Sequence, residues 1–194
     1  MILEKYIKTF DNVLPLKTIS SLIKFLNKQY KNKLFEDGEV GNGTHARISK
    51  KIRNTEIYGF SQFSESLTNV HYHNLLSNIN ILHYEKYKQE FPFLTGCSKV
   101  NQINALRYEK GGHYDFHVDG GTGFDRVLSS ILFLNNDYKG GNLSFLDDPS
   151  SDKKIYDIPV QPGRLIMWPS NFLFPHSVRP VEEGTRFSIV SWIC

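Results

Sequence analysis

The sequence predicts an α+β protein in which strands dominate, organised as one domain over residues 1–194. Two helical patterns lie in the N-terminal half, and short strand-like segments separated by glycine, proline and acidic turns follow Pro92. Runs of helices followed by runs of short strands favour a β-sandwich or open barrel buttressed by helices on one face. Because 40% of the residues are hydrophobic and 13% are aromatic, the chain has enough apolar material to bury a core.

Two helices are predicted before the strands. In residues 16–30, apolar side chains follow the i, i+3, i+4, i+7 spacing of a one-sided helix, and Pro15 is placed to start it. The second helix runs from about residue 69 to residue 90, and Pro92 prevents its continuation. Between the helices, GEVGNGTHARISKK is polar and carries glycines, which predicts a loop or flexible lid. The wider segment 31–60 is therefore a candidate to close over a substrate.

Eight strand candidates follow the second helix. Each is a short apolar or alternating segment bounded by turn residues. They span 99–108, 113–119, 126–135, 142–146, 154–158, 164–168, 176–179 and 185–193. We therefore expect residues 1–98 to form mostly helical support and a lid, and residues 99–194 to form the β core.

Composition and charge argue against several classes of function. The chain has 23 Lys and Arg against 20 Asp and Glu, and this small excess gives no reason to expect a nucleic-acid partner. The basic run RISKKIR, residues 47–53, is interpreted as a solvated face. No apolar segment has the length of a membrane span or a secretory signal, so we expect a cytoplasmic protein with no membrane partner. Cys97 and Cys194 are expected to be free thiols.

The stretch HYDFHVDGG, residues 113–121, contains histidine, any residue and aspartate twice. Residues two apart in a strand face the same side, so all four polar side chains are expected in one row that lines a cavity. The two triplets begin about 13 Å apart along a strand and cannot both be complete ligand sets for one ion. His117 and Asp119 come just before Gly120 and Gly121, where the end of a strand exposes ligands to substrate. This location favours the second triplet.

A further imidazole is needed, because two protein ligands are too few for a tight metal site. His176 is the candidate. Arg186 follows on what is expected to be the adjacent strand, where its guanidinium can hold a carboxylate through two hydrogen bonds. Two histidines, one carboxylate and open coordination positions form the facial triad of non-haem iron(II) oxygenases. The open positions suit a chelating keto acid and dioxygen.

Several segments form an ordered set with these residues. YEKGGHYDFHVD, from Tyr108 to Asp119, matches a pattern of tyrosine, glycine, tyrosine and then HxD. It is followed by RVLSSILFLNNDYKGGNLSF, by PGRLIMWPS, by HSVRPVEEGTR and finally by Trp192. In this order the segments resemble those of the iron(II)- and 2-oxoglutarate-dependent oxygenases, specifically the prolyl 4-hydroxylase-like branch. The resemblance covers residues 100–194 closely and the N-terminal helices only in general layout.

The resemblance implies a double-stranded β-helix, or jelly roll, with N-terminal supporting helices and iron at one mouth. It implies Fe(II) held by His117, Asp119 and His176, and 2-oxoglutarate with its distal carboxylate on Arg186. Dioxygen is the other substrate, and ascorbate is expected as a supporting reductant. Succinate and carbon dioxide would be released as an unactivated carbon is hydroxylated. An aspartate among the ligands favours hydroxylation, since halogenating relatives leave that coordination position free for a halide.

Tyr108 and Trp192 are further candidates for the cofactor pocket. Where many relatives carry a hydrogen-bonding tyrosine or threonine beside the 2-oxoglutarate tail, this chain has Phe133, whose ring cannot donate that bond. Tyr108, Ser129 or an ordered water are the candidates to replace it.

Other histidines are expected to serve elsewhere. His113 and Asp115 are interpreted as polar lining or solvent-facing positions, with an auxiliary metal pair or substrate contacts as the alternatives. His45 and His83 show no partner in the sequence.

Three functional hypotheses remain open. The first is hydroxylation of a prolyl residue in a peptide or protein, by analogy with the branch that the sequence resembles. The second is hydroxylation of a free amino acid or another small molecule. The third is a jelly-roll binding module or metal store without turnover, which iron-dependent conversion of 2-oxoglutarate to succinate would exclude.

Overall fold

The structure is a computed structural model. It describes residues 3–41, 46–97, 99–121, 125–148 and 151–194, apart from the side chains of 147–148 and 151–155. His45 and the middle of the predicted lid lie outside these residues.

Both predicted helices are present. Helix α1 spans Leu16–Lys31 and begins directly after Pro15, and helix α2 spans Leu67–Glu90. The side chain of Ser66 caps α2 by accepting a hydrogen bond from the backbone N–H of Asn69. A short 3₁₀ turn, Glu4–Tyr6, precedes α1. In the described part of the chain, no helix is long and apolar enough to cross a membrane.

The described residues also contain sixteen strands. Those before α2 are β1 (Lys8–Phe10), β2 (Glu36–Asp37), β3 (Glu39–Val40), β4 (Arg47–Ile48), β5 (Arg53–Asn54) and β6 (Glu56–Phe60). Those after it are β7 (Val100–Tyr108), β8 (His113–His117), β9 (Leu128–Phe133), β10 (Lys139–Gly140), β11 (Leu143–Asp148), β12 (Ser151–Asp157), β13 (Leu165–Pro169), β14 (His176–Val178), β15 (Val181–Glu183) and β16 (Arg186–Ile193).

Twelve of these strands form two antiparallel sheets that pack as a jelly roll, and the pairs β3-β4 and β10-β15 form separate two-stranded sheets. The larger sheet has the order β1-β13-β9-β16-β7-β6-β2, and the smaller has the order β12-β11-β14-β8-β5. One apolar cluster joins both helices to the larger sheet, and a second lies between the two sheets. All residues of β9 and β16 are buried, because these central strands are covered by helices on one face and by the smaller sheet on the other.

All eight strands predicted after α2 are present, but the N-terminal part contains more β-structure than expected. The stretch 38–51 was expected to be a loop or flexible lid, and its described residues include β3 and β4; the wider segment 31–60 carries β2 to β6. Strand β6 pairs with β7 in the larger sheet, and β5 pairs with β8 in the smaller one. Four of these five strands are two residues long, so they are too short to show an alternating pattern.

Candidate active site

Three side chains meet at one mouth of the jelly roll, namely His117, Asp119 and His176. The two histidines lie directly opposite each other on the paired strands β8 and β14, and Asp119 follows the end of β8. Nε2 of His117 is 3.7 Å from Oδ1 of Asp119, and Nε2 of His176 is 3.4 Å from Oδ2. One potential ligand atom from each residue lies within 4.8 Å of the others.

Backbone carbonyls orient both imidazoles. Nδ1 of His117 is 2.8 Å from the carbonyl oxygen of Asp115, and Nδ1 of His176 is 3.0 Å from that of Phe174. An Nδ1–H that donates to a carbonyl leaves the lone pair on Nε2, which in both rings faces Asp119. This is the tautomer that a metal ligand requires.

The electrostatic surroundings of His117 and Asp119 favour the binding of a divalent cation. Burial lowers the pKa of His117 to about 3, and the neighbouring His176 adds to this effect. Burial alone would raise the pKa of Asp119, which is 7% exposed, but the two imidazoles and a hydrogen bond from Ser129 outweigh it and hold the pKa below its ordinary value. His117 is therefore neutral and Asp119 ionised at pH 7, which are the forms that bind metal.

Residues behind the ligands hold them in place. The hydroxyl of Ser129 donates to Oδ2 of Asp119 at 2.6 Å, and the hydroxyl of Ser170 lies 2.8 Å from that of Ser129. The indole of Trp168 packs edge-on against the ring of His176, with ring centroids 4.9 Å apart. These contacts fix the carboxylate and one imidazole before any metal arrives.

The three residues fit an iron(II) ion. Ligand atoms in cis positions about 2.1 Å from one ion lie about 3 Å apart, and the separations of 3.7 and 3.4 Å from Asp119 are within about 0.7 Å of this value. Two imidazoles and one carboxylate are the donor set of the facial triad, which leaves coordination positions for other ligands.

Arg186 lies inside the protein, and no carboxylate forms an ion pair with it among the described residues. It is the first residue of β16, pairs with Tyr108 across the strands and is 0% exposed. Its Nη1 donates to the hydroxyl of Ser188 at 2.8 Å, whereas Nε and Nη2 have no hydrogen-bond partner among the described residues. An unpaired buried cation costs several kcal/mol. The site therefore fits a ligand carboxylate that accepts from Nε and Nη2 together.

The other predicted cofactor residues lie in two places, one beside Arg186 and one beside the metal ligands. Tyr108 lies at the Arg186 end, with Cζ of Arg186 5.2 Å from its ring centroid and a buried hydroxyl that has no partner in the described residues. Phe133 is also there, 5.5 Å from the same Cζ. Trp192 lies at the metal end, where it lines a cleft with His117 and Asp119.

The suggestion that Ser129 replaces the hydroxyl missing at Phe133 is wrong. Its hydroxyl is engaged by Asp119 and Ser170, so it supports the metal end of the cavity. All residues of β9 are buried, and in such a strand alternation does not show which way a side chain points.

The first triplet does not join the ligand group. Nδ1 of His113 is 3.0 Å from the carbonyl oxygen of Gly111, and Nε2 is 3.1 Å from that of Lys51. The hydrogen bond to Gly111 raises the pKa of His113, although burial opposes the rise. Asp115 is exposed.

The expectation that the polar side chains of both triplets form one row is also wrong. The pairing of β8 with β14 shifts between His117 and Tyr114, which marks a β-bulge. The rings of Tyr114 and His117 consequently stack, with centroids 3.6 Å apart. A bulge has no signature in the alternation of HYDFH, so the sequence could not show it.

A cleft of about 840 Å³ opens from the metal end. The segment from β2 to β5 contributes to its lining, and Tyr114 and Trp192 lie near the ligands. Two arginines pack on these rings: Cζ of Arg53 is 4.6 Å from the Tyr114 centroid, and Cζ of Arg126 is 3.7 Å from the Trp192 centroid.

Sequence reasoning missed several residues around the cavity. It assigned Arg53 to a solvated run and did not single out Arg126, which lies in an irregular segment before β9. It also missed Tyr138, whose buried hydroxyl has no partner in the described residues. The available signal for Tyr138 was its place just before the Gly140-Gly141 turn.

Comparisons with known proteins agree with this geometry. The family model described as the 2OG-Fe(II) oxygenase superfamily matches residues 103–194. A PKHD-type hydroxylase from Synechococcus elongatus is 32% identical over 167 residues, which cover 82% of this chain and 67% of the relative. Another from Prochlorococcus marinus is 28% identical over 183 residues, which cover 94% of this chain and 76% of the relative.

Solved structures share the fold. A prolyl hydroxylase from Trichoplax adhaerens, in complex with a peptide fragment of the hypoxia inducible factor oxygen degradation domain, is 16% identical with a TM-score of 0.78, over 97% of this chain and 83% of that one. A prolyl-4-hydroxylase from Pseudomonas putida is 16% identical with a TM-score of 0.70, over 97% and 91%. The predicted jelly roll with supporting helices is confirmed.

Proposed function

This chain belongs to the 2OG-Fe(II) oxygenase superfamily, in its prolyl 4-hydroxylase-like branch, and is a 2-oxoglutarate-dependent dioxygenase; we propose that it hydroxylates a prolyl residue in a peptide or protein. The family uses Fe(II), 2-oxoglutarate and dioxygen. Succinate and carbon dioxide are the expected co-products.

His117, Asp119 and His176 would hold the iron, which supplies the oxidising chemistry when bound. His117 is neutral and Asp119 is ionised at pH 7, so neither has to lose a proton for the metal to bind. Arg186 would pair with the distal carboxylate of 2-oxoglutarate, which fixes the other end of the molecule.

Tyr108 and Trp192 would complete the pocket. Tyr108 closes one side of the Arg186 end, and its unpartnered hydroxyl is available to the ligand. Trp192 lines the cleft beside Asp119 and carries Arg126 on its ring, and Arg126 donates to the backbone carbonyl of Asp119 at 3.3 Å. Ser129 would keep the carboxylate of Asp119 in one orientation through its hydrogen bond.

The observation that carries the peptide proposal is the cleft that ends at the three ligands. Its volume of about 840 Å³ lies near the upper end of the range for small-molecule pockets. Its lining comes from separate strands, including β3, β7 and β8, so an extended chain can lie along it. The Trichoplax enzyme, which has the same fold, was solved with a bound peptide.

A direct assay tests the proposal. Purified protein is incubated with Fe(II), ascorbate, 2-oxoglutarate and either proline-containing peptides or a panel of free amino acids, and succinate and product masses are measured. We expect succinate together with one added oxygen atom on a prolyl residue. Oxygen added only to free amino acids would overturn the peptide assignment, and no succinate with any substrate would overturn the activity.

His176→Ala supplies the matched control for the assay. It should remove turnover, because the iron would lose one of its three protein ligands. His71→Ala changes an exposed histidine on α2 and should retain full activity.

A further inference from the structure

The loop between β9 and β10 places Tyr138 close to the buried guanidinium of Arg186. A Cβ atom at Gly141 would lie 3.1 Å from Cδ of Arg186 and 3.2 Å from Cε2 of Tyr138, so both side chains pack against the same point of the backbone. The ring of Tyr138 is half-buried, whereas its hydroxyl oxygen is buried and has no hydrogen-bond partner among the described residues. The charge of Arg186 and the contact of its guanidinium with the hydroxyl both act on the pKa of Tyr138, so the two polar groups lie close together.

Two glycines permit this close approach. Gly141 has φ +64° and Gly184 has φ +79°, values that L side chains rarely adopt. A Cβ at Gly184 would lie 3.0 Å from the carbonyl oxygen of Asp137 and 3.1 Å from Cβ of Tyr138. Any side chain at these positions would push the Tyr138 loop away from β16.

Asn135 ties the same loop to the residues on both sides of Arg186. Its side-chain amide donates to the carbonyl oxygen of Thr185 and to Oδ1 of Asp137, each at 2.7 Å. Its side-chain oxygen accepts from the backbone N–H of Phe187 at 2.8 Å. The position of Tyr138 relative to the guanidinium is therefore fixed by the fold.

The phenol is suited to donate to an anion. Burial raises the pKa of Tyr138, although the positive charge of Arg186 opposes the rise, so the hydroxyl keeps its proton at pH 7. Phe133, on the other side of the guanidinium, offers no hydrogen bond. A carboxylate has about four acceptor sites, so the two free N–H groups of Arg186 leave room for a hydroxyl donor.

We propose that Tyr138 donates its phenolic O–H to the distal carboxylate of 2-oxoglutarate and so replaces the hydroxyl that Phe133 cannot supply. This inference rests on the proposed function, since it requires 2-oxoglutarate in the cavity. It makes Tyr138 a residue that selects a dicarboxylic keto acid over a monocarboxylic one.

Ligand binding tests this role without turnover. Protein loaded with Mn(II) in place of iron is titrated with 2-oxoglutarate and with 2-oxopentanoate, which carries a methyl group where 2-oxoglutarate carries its distal carboxylate. In Tyr138→Phe, the Kd for 2-oxoglutarate should rise about tenfold or more, because a hydrogen bond to a charged group is lost. The Kd values for 2-oxopentanoate and for Mn(II) should not change. Tyr30→Phe is the control, since this ring stacks on Arg107 outside the cavity.

Each other outcome has a distinct meaning. A 2-oxoglutarate affinity within about twofold of wild type would overturn the role of Tyr138 and leave the proposed function standing. Equal weakening of both keto acids would also overturn it, because the effect would then come from a displaced loop. If wild-type protein binds Mn(II) but no 2-oxoglutarate, the proposed function itself fails.

Discussion

The two HxD triplets of strand β8 differ in the direction of their lone pairs. Both nitrogens of His113 face backbone carbonyls, which leaves no lone pair for a metal. In His117 one nitrogen faces a carbonyl and the other faces Asp119. The same three-letter pattern therefore forms a structural contact in one place and a ligand pair in the other, and the backbone around each imidazole decides which.

The surroundings shift the pKa values of His113 and His117 in opposite directions. The hydrogen bond to the Gly111 carbonyl raises the pKa of His113, because a protonated ring can donate from both nitrogens. Burial against His176 lowers the pKa of His117 to about 3. The surroundings of His113 therefore favour its protonated form, whereas those of His117 favour the neutral form that can bind a metal.

The largest difference should appear when each histidine is removed. We expect His117→Ala to weaken Mn(II) or Fe(II) binding by at least about a hundredfold, because one of three protein ligands is lost. His113→Ala should leave the affinity unchanged. Calorimetric titration of the metal into both variants provides the measurement, and similar losses in the two would mean that both triplets bind metal.

A smaller loss of metal affinity is expected when the hydrogen bond that supports Asp119 is removed. Ser129→Ala removes the hydrogen bond to Asp119 and should weaken metal binding about tenfold to a hundredfold. Ser130→Ala is the matched control, because the adjacent hydroxyl bonds Asn80 and the carbonyl of Ser191 on the helix side of the sheet. A stability loss without a change in affinity is expected there, and equal affinities in both variants would contradict the role of Ser129.

The opposite pKa shifts predict opposite pH responses in metal-free protein. Because His117 titrates at about 3 in the folded state and near 6.5 when unfolded, the unfolded state binds more protons between these values. The free energy of unfolding should therefore fall as the pH drops from 6.5 towards 3. The contribution of His113 is present at low pH and is lost as the pH rises through its raised pKa. NMR titration of the imidazole signals checks both, and identical midpoints would contradict the comparison.

The smallest effect is expected at the aspartate of the first triplet. Asp115→Asn changes an exposed side chain and should alter the free energy of unfolding by less than about 0.5 kcal/mol. Metal affinity should stay the same. A measurable loss of affinity in titrations would show that Asp115 takes part in binding.

The positions of the eight strands after α2 could be predicted, because each strand is a short apolar or alternating segment bounded by turn residues. The grouping of His117, Asp119 and His176 was expected from the ordered set of motifs, and the structure brings their side chains together. Tyr138 could not be predicted, since its position depends on two left-handed glycines and on the side-chain bonds of Asn135, which act across distant parts of the chain. Ser129 was expected beside the 2-oxoglutarate tail but bonds Asp119 and Ser170 instead, because a strand buried on both faces gives no sign of which way a side chain points. The bulge in β8 could not be predicted either, because the alternation of side chains along a strand gives no sign of a bulge.

Strand β16 holds Arg186 at a fixed distance along the sheet from Trp192. It carries Arg186 at one end and Trp192 near the other, and paired neighbours on both sides lock its register. An insertion of one residue between them would turn every following side chain to the opposite face. If Arg186 binds the distal carboxylate of 2-oxoglutarate as proposed, the backbone pairing of β16 also fixes the length of the keto acid that the site accepts.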